Sequence, residues 1–229
     1  MSIFSKNIFI HPAFRHALII LGLITLAIIV KNNAVNLAET KADEWVEKIR
    51  IEDPSKPPTI PSDFKASDSE KNRLLEQVRT IRGRALHHFT VMKYFYSRYY
   101  MAISVVLISG ILGAVALLFI TKHGWDQANQ YVKTVLITAV AITAYFSAFP
   151  PVFQQSQNIA DNKKLYLQYM ALHDEVMSFL PLQENINGEP KKASEFIHYI
   201  DKQLVQLNTF AIGFDDTKVP NYKDTFNVK

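Results

Sequence analysis

Histidines, arginines and hydroxyl groups are the side chains of this sequence with chemistry to offer, and their spacing limits what they can do. His87 and His88 are adjacent, so on a helix they point about 100° apart and cannot chelate one ion from one face. His173, beside Asp174 and Glu175, lacks the i, i+3 or i, i+4 spacing of a ligand set; it reads as a histidine turned into a helical bundle. Arg79, Arg82 and Arg84, with His87, make a basic patch. Such a patch suits anionic lipid headgroups or a phosphorylated effector, or serves only as the cationic flank of a membrane segment. The sequence contains no phosphate-cradling glycine loop, no nucleophile elbow and no Ser/His/Asp order. It also has no cysteine, which excludes disulfides, thiolate metal sites and cysteine catalysis together. No catalytic residue, metal or cofactor is expected, and the chain reads as a non-enzyme.

A second group of residues is defined by size. Ser109 and Gly113 form a small-xxx-small pair, as do Gly110 and Ala114. Ala139, Thr143 and Ser147 repeat at four-residue spacing. Stripes of this kind let helices approach closely. On another face Thr134, Thr138, Ala141, Tyr145 and Ala148 recur three and four apart. That face has two readings: packing alone, or a weakly polar pore lining once several copies assemble, because uncharged hydroxyls can line a conduit.

These residues lie in an unusual setting. The chain has 229 residues, 48% of them hydrophobic and 20% charged, with 25 Lys+Arg against 21 Asp+Glu. The apolar residues are concentrated in three blocks. Tyr99 to Thr121 is a charge-free run of 23 residues, and about 20 suffice to cross the hydrocarbon layer as a helix. Thr134 to Ala160 is also free of charge, with its apolar part ending at Phe153. The third block, His16 to Val30, spans only about 22 Å at the helical rise, short of the ~30 Å hydrocarbon thickness. Asn32, Asn33, Ala34 and Val35 extend it, and Arg15 and Lys31 can snorkel. A cleaved signal peptide competes with that reading, although Asn36-Leu37-Ala38 puts a polar residue at −3. Retention as a first span is favoured.

Between the second and third spans, Lys122 and His123 suit a helix end, Gly124 a left-handed cap, and Asp126 the N-cap of the next helix. About three residues then make the turn, giving an antiparallel αα-hairpin. Trp125 and Tyr131 mark one interface; Tyr94, Phe95, Tyr96, Tyr99 and Tyr100 mark the other. Three spans put the N-terminus and this turn on one side. That side offers Lys6, Arg15, Lys122 and Lys133 near the helix ends. The other offers Lys31, Lys41, Lys48, Arg50, Arg82, Arg84, Lys93, Arg98, Lys163 and Lys164. Four cations against ten put the 31–100 segment and the C-terminus in the cytoplasm. The cations preceding the first span argue the other way.

Outside the spans, Leu37, Ala42, Trp45, Val46 and Ile49 predict an amphipathic stalk. The proline-rich stretch 52–61 predicts an extended linker. Ser67 and Glu70 form a capping box. It opens a stripe at Leu74, Val78, Ile81, Ala85, Phe89, Met92 and Tyr96 that runs on into the second span, with Gly83 its one weak point. Pro150-Pro151 predicts a kink or a stop. Ile159, Tyr166, Tyr169, His173, Val176 and Leu180 predict one face of a following helix. After a turn at Asn187-Gly188-Glu189-Pro190, a last helix carries Ala193, Phe196, Ile197, Ile200, Leu204, Leu207 and Phe210 inward. The expectation is an all-α membrane protein in four parts: an N-terminal transmembrane helix over 1–38; an amphipathic stalk and linker over 39–66; a stalk helix and transmembrane hairpin over 67–152; and a C-terminal helical bundle and tail over 153–229. Its partners would be the lipid bilayer, further copies of itself, and a protein docked on the bundle. With no basic tract, nucleic acid is not expected.

The order of parts resembles the SLATT group of two-span bacterial proteins. A stalk helix (Lys71 to Arg98) enters a tight two-span hairpin (Tyr99 to Val152). The Tyr- and Leu-rich run Lys164-Leu165-Tyr166-Leu167-Gln168-Tyr169 follows, and a closing helix comes last. The likeness covers about 68–211 and is one of architecture. It implies a membrane-perturbing, pore-forming effector of nucleotide-dependent anti-phage systems, seated in a bacterial inner membrane. Its N-terminal span, its proline linker and the lack of arginine after Arg98 depart from that pattern. The alternative is an accessory or scaffold subunit of a larger membrane complex. An organellar membrane also remains open, since the first 38 residues carry no acidic side chain.

Overall fold

The structure, a computed structural model, describes residues 12–48, 59–184, 188 and 191–208. Among them the regular secondary structure is helical, with no β-strand. The helices are α1 (Pro12–Lys48), α2 (Asp68–His123), α3 (Gln130–Ser147), α4 (Phe149–Val152), α5 (Gln155–Leu182) and α6 (Ala193–Leu207). Stretches within Pro12–Trp45, Asp68–His123 and Gln130–Leu182 are long and apolar enough to cross a membrane. The chain divides into two compact units whose boundaries cut through α1 and α2. One combines α1 up to Lys41 with Tyr96–Gln155; the other combines Ala42–Phe95 with the chain from Ser156.

Local signals explain where the helices start and stop. The Ser67 amide donates to Glu70 Oε2 at 2.8 Å, and the Glu70 amide to Ser67 Oγ at 3.4 Å. This closes the capping box that starts α2. These bonds hold the Glu70 carboxyl below the usual carboxylate range. At the far end His123 donates from Nδ1 to the Phe119 carbonyl, and Gly124 takes the left-handed conformation (φ +80°) that ends the helix. The expected cap at Asp126 is wrong. Asn129 is the N-cap, its side chain accepting from the Tyr131 amide at 2.9 Å, so α3 begins at Gln130. Residues 124–129 first fold into a turn closed by Ala128 N–H on the Gly124 carbonyl, which makes the connection longer than the three residues expected. Pro150 and Pro151 fall in the first turn of α4, where a missing amide donor is harmless. Gln154, at φ +43°, then breaks the path before α5.

In the first unit, α1, α2 and α3 pack side by side. Ser109 faces Thr143 and Gly113 faces Ala139, which sets α2 antiparallel to α3. The start of α1 meets the start of α3: His16 Nδ1 lies 2.6 Å from Thr134 Oγ1, and Arg15 donates to the Tyr131 hydroxyl at 3.4 Å. Thr134 gives its own proton to the Gln130 carbonyl, so His16 is the donor of that pair. The helix runs on past the apolar block to Lys48, as expected of the stalk, and its stripe is buried at Ala42 but not at Leu37 or Trp45. Ala34, Ala38 and Ala42 are buried, while Leu37 and Trp45 are exposed. Small side chains allow close approach, and the larger ones are left outside. The side chains of Val46 and Ile49 lie outside the described residues, as does most of the proline-rich stretch.

In the second unit the core holds Phe64, Leu74, Val78, Ile81, Ala85, Phe89 and Met92 against Tyr166, Tyr169, Val176 and Phe179, closed by Phe196 and Ile200 of α6. Both stripes read from the sequence are buried except at Tyr96 and Ile159, which are half-buried. Phe179 and Phe196 stack with ring centres 3.7 Å apart, and Phe64 meets Phe179 edge-on. Lys93 Nζ lies 2.7 Å from both oxygens of Asp43, tying the end of α1 to α2. Phe210 is outside the described residues.

Candidate functional site

The small-residue seam between α2 and α3 is the first site candidate. Ser109 and Thr143 lie 2.8 Å apart, and each reaches the carbonyl one turn back, Val105 at 2.7 Å and Ala139 at 2.9 Å. Two protons serve three acceptors, so one hydroxyl donates across the seam while the other donates to its own helix. One turn further, a methyl group at Gly113 would stand 3.7 Å from Ala139 Cβ, an ordinary contact distance. An apolar gap of about 20 Å³ lies between Leu26, Ala27 and Val30 of α1, Val105 and Leu112 of α2, and Ile142 of α3. It is no larger than one water and offers almost no polar lining, so it stays dry.

The other hydroxyl face is divided. Thr134 is taken up by His16. Thr138 is half-buried. Tyr145 is 63% exposed, with Phe146 and Phe149 edge-on to its ring at 5.2 Å. Ala141 and Ala148 of the same face are exposed, so the face meets α1 at Thr134 and opens outward beyond it. Ser147, the last residue of the small stripe, is exposed and donates to the Ala144 carbonyl. At the turn, Lys133 is buried and its ammonium sits 5.4 Å from the centre of the Trp125 ring.

The three arginines also separate. Arg82 is buried and donates from Nε to His173 Nε2 at 3.1 Å. That ring nitrogen must be the bare one, so the proton is on Nδ1, pointing at Asp174 Oδ1 3.4 Å away. Arg79 and Arg84 are both exposed. Arg84 lines a cavity with Arg73 and Asp201 that does not include Arg79. The histidines divide as well, since His87 is exposed and His88 is buried.

Sequence reasoning missed a row of buried amides. His88 Nδ1 donates to Asn162 Oδ1 at 2.9 Å, Asn162 donates to the Asn158 carbonyl, and the His88 ring stacks on Tyr169. Gln77 donates to the Ile197 carbonyl and to Asp201 Oδ1. The signal was present. Stepping back from Tyr166 by four and four reaches Asn162 and Asn158, so the apolar stripe of α5 continues in amides. Burial raises the phenol pKa of Tyr166 and Tyr169, for Tyr169 against the pull of Arg84. No group of three metal-ligating side chains occurs among the described residues. No protein-family model, no curated protein and no solved structure matches the chain.

Proposed function

We propose that this chain is an integral membrane protein without catalytic activity that self-associates through the outward side of its hairpin, forming a pore or a membrane-perturbing assembly. It has three spans in a bacterial inner membrane, with the 31–100 segment and the C-terminus on the cytoplasmic side, as the positive-inside bias directs. Insertion is supported by the apolar side chains the helices turn outward, such as Leu118, 71% exposed, with Leu107, Ile111 and Ile137. In water, a continuous surface of this kind would aggregate. The likeness in order of parts to the SLATT group is in keeping with this reading.

The observation that carries self-association is a difference between neighbours. Ser109 and Gly113 are buried against α3, whereas Gly110 and Ala114 are exposed on α2 and a side chain at Gly110 would meet nothing within 4 Å. An open Gly-xxx-Ala pair on a lipid-facing helix lets a second helix approach to backbone contact. Because the sequence lacks cysteine, the test is clean. Gly110→Cys or Ala114→Cys, oxidised in native membranes, should give a disulfide-linked dimer, and the nearly isosteric Ser109→Cys on the inward face should not. Monomer alone at both outward positions removes the proposal. Ion flux through liposomes holding the purified protein then separates a pore from a closed assembly, and Thr138 and Tyr145 should become reactive to water-soluble labels if they line it.

A second reading, a subunit of a larger membrane complex, draws on the exposed apolar residues of the second unit, Leu182 and Val205. Crosslinking of native membranes would then give a mixed product in place of a self-dimer.

A further inference from the structure

The second unit contains a cavity of about 400 Å³ between α2, α5 and α6, within the size range of small-molecule sites. Its α2 wall is Arg73, Gln77, Thr80 and Arg84. Those positions are spaced four, three and four apart, so they lie on one helix face over about 16 Å. Opposite lie Tyr169 of α5, Asp201, Leu204 and Val205 of α6, and Asn208 just past its end.

The two ends differ in charge. At one end Asp201 Oδ1 accepts from Arg73 at 2.7 Å and from Gln77 at 2.8 Å, and Arg73 also pairs with Glu76. Those pairs hold the Arg73 guanidinium above its ordinary pKa. The Gln77 amide is fixed in orientation, because both partners of its nitrogen are acceptors. Its oxygen is buried and has no partner among the described residues. This end therefore offers the partly exposed Asp201 carboxylate as acceptor, beside the enclosed Gln77 amide. At the other end, Arg84 has no carboxylate partner among the described residues. Its exposed guanidinium stands on the rim of this open cavity.

We infer that this cavity binds a small amphoteric molecule, with a phosphate or carboxylate on Arg84 and an N–H or O–H donor at the Gln77–Asp201 end. A guanidinium meets such an anion through charge-assisted hydrogen bonds. A donor at the far end meets the Asp201 carboxylate, whose side chain is 35% exposed, in a charge-assisted hydrogen bond. The source is either a soluble metabolite or a lipid headgroup of the same chemistry. The inference concerns the second unit alone and holds whether or not the hairpins associate.

The test uses the full chain purified in an uncharged detergent, with phosphoethanolamine, phosphocholine and inorganic phosphate as probes in calorimetry. Phosphoethanolamine is expected to bind most tightly, because the choline methyl groups remove the N–H donors and inorganic phosphate cannot span the cavity. Arg84→Gln should weaken binding by about tenfold or more, the scale of a lost charge-assisted bond. Arg79→Gln, an exposed arginine on the same helix but outside the cavity, should leave it unchanged. Thermal unfolding in vesicles of phosphatidylethanolamine against phosphatidylcholine gives the second arm. Protection by the ethanolamine lipid without binding of the free probe assigns the site to a headgroup, and binding of the free probe assigns it to a soluble ligand. No binding and no difference between vesicles overturns the inference. So do equal losses in Arg84→Gln and Arg79→Gln, or phosphocholine binding as tightly as phosphoethanolamine.

Discussion

Ser109 on α2 and Thr143 on α3 meet hydroxyl to hydroxyl at 2.8 Å, one turn from where Gly113 lies against Ala139. The same two turns of helix supply the polar bond and the close approach, so the register of the hairpin is fixed twice over. A slip by one residue would lose both.

Replacing either hydroxyl should therefore be mild, and coupled. Ser109→Ala and Thr143→Ala should each cost about 0.6 kcal/mol, the usual worth of a hydrogen bond between helices in lipid. The double variant should cost less than the sum of the two. Thermal unfolding of the four proteins in detergent measures the cycle.

Gly113 tolerates a methyl group and nothing larger. Gly113→Ala should be neutral or stabilising by up to about 1 kcal/mol, since it removes a flexible residue from a helix interior without a clash. Gly113→Leu should destabilise by about 1–3 kcal/mol by forcing α2 and α3 apart. The unfolding midpoint should hold or rise for Gly113→Ala and fall for Gly113→Leu.

In the second unit, His173→Ala takes away the acceptor of the Arg82 Nε–H. A buried hydrogen bond to a charged group is worth about 1.5–3 kcal/mol, and the variant should lose that much. His173→Gln, which retains an acceptor, should lose less. Circular dichroism during chemical unfolding distinguishes them.

The buried phenols give an alkaline limit. Burial raises the pKa of both Tyr166 and Tyr169 in the folded chain. Their contribution is therefore fully present below the unfolded value of about 10 and is lost as pH rises through the higher folded values. Stability of the bundle should fall above pH about 10. Tyr166→Phe should blunt the fall, as followed by unfolding midpoints across the alkaline range.

Much of this fold could be read from the residues because periodicity and caps are local. The stripe from Leu74 to Met92, the Ser67–Glu70 box, the Gly124 cap and the break at Pro150 all depend on neighbours within a turn or two. The stalk helix was legible, but its buried face was read only at Ala42. Leu37 and Trp45 are the larger apolar groups, yet Ala34 and Ala38 are buried in their place, and no local rule weighs that. Asp126 lost to Asn129 because two good caps stood three residues apart and the turn geometry decided between them. The basic patch failed on angle. Arg82 and Arg84 lie 200° apart at 100° per residue, so they never shared a face, and only Arg84 lies in phase with Arg73, Gln77 and Thr80. The buried amides were hidden by residue type, since Asn158 and Asn162 occupy core positions that a search for apolar residues passes over.

Every part of the functional reading rests on the outward apolar face of the hairpin being covered by lipid. Leu118→Cys places the only thiol of the protein on that face, and Val205→Cys, 77% exposed in the wild-type residue, places one on the bundle as a reference. Membranes opened to both sides are treated with a charged, water-soluble maleimide. Rapid labelling is expected at position 205 and none at position 118 until detergent is added. Equal labelling at the two positions in intact bilayers would contradict it.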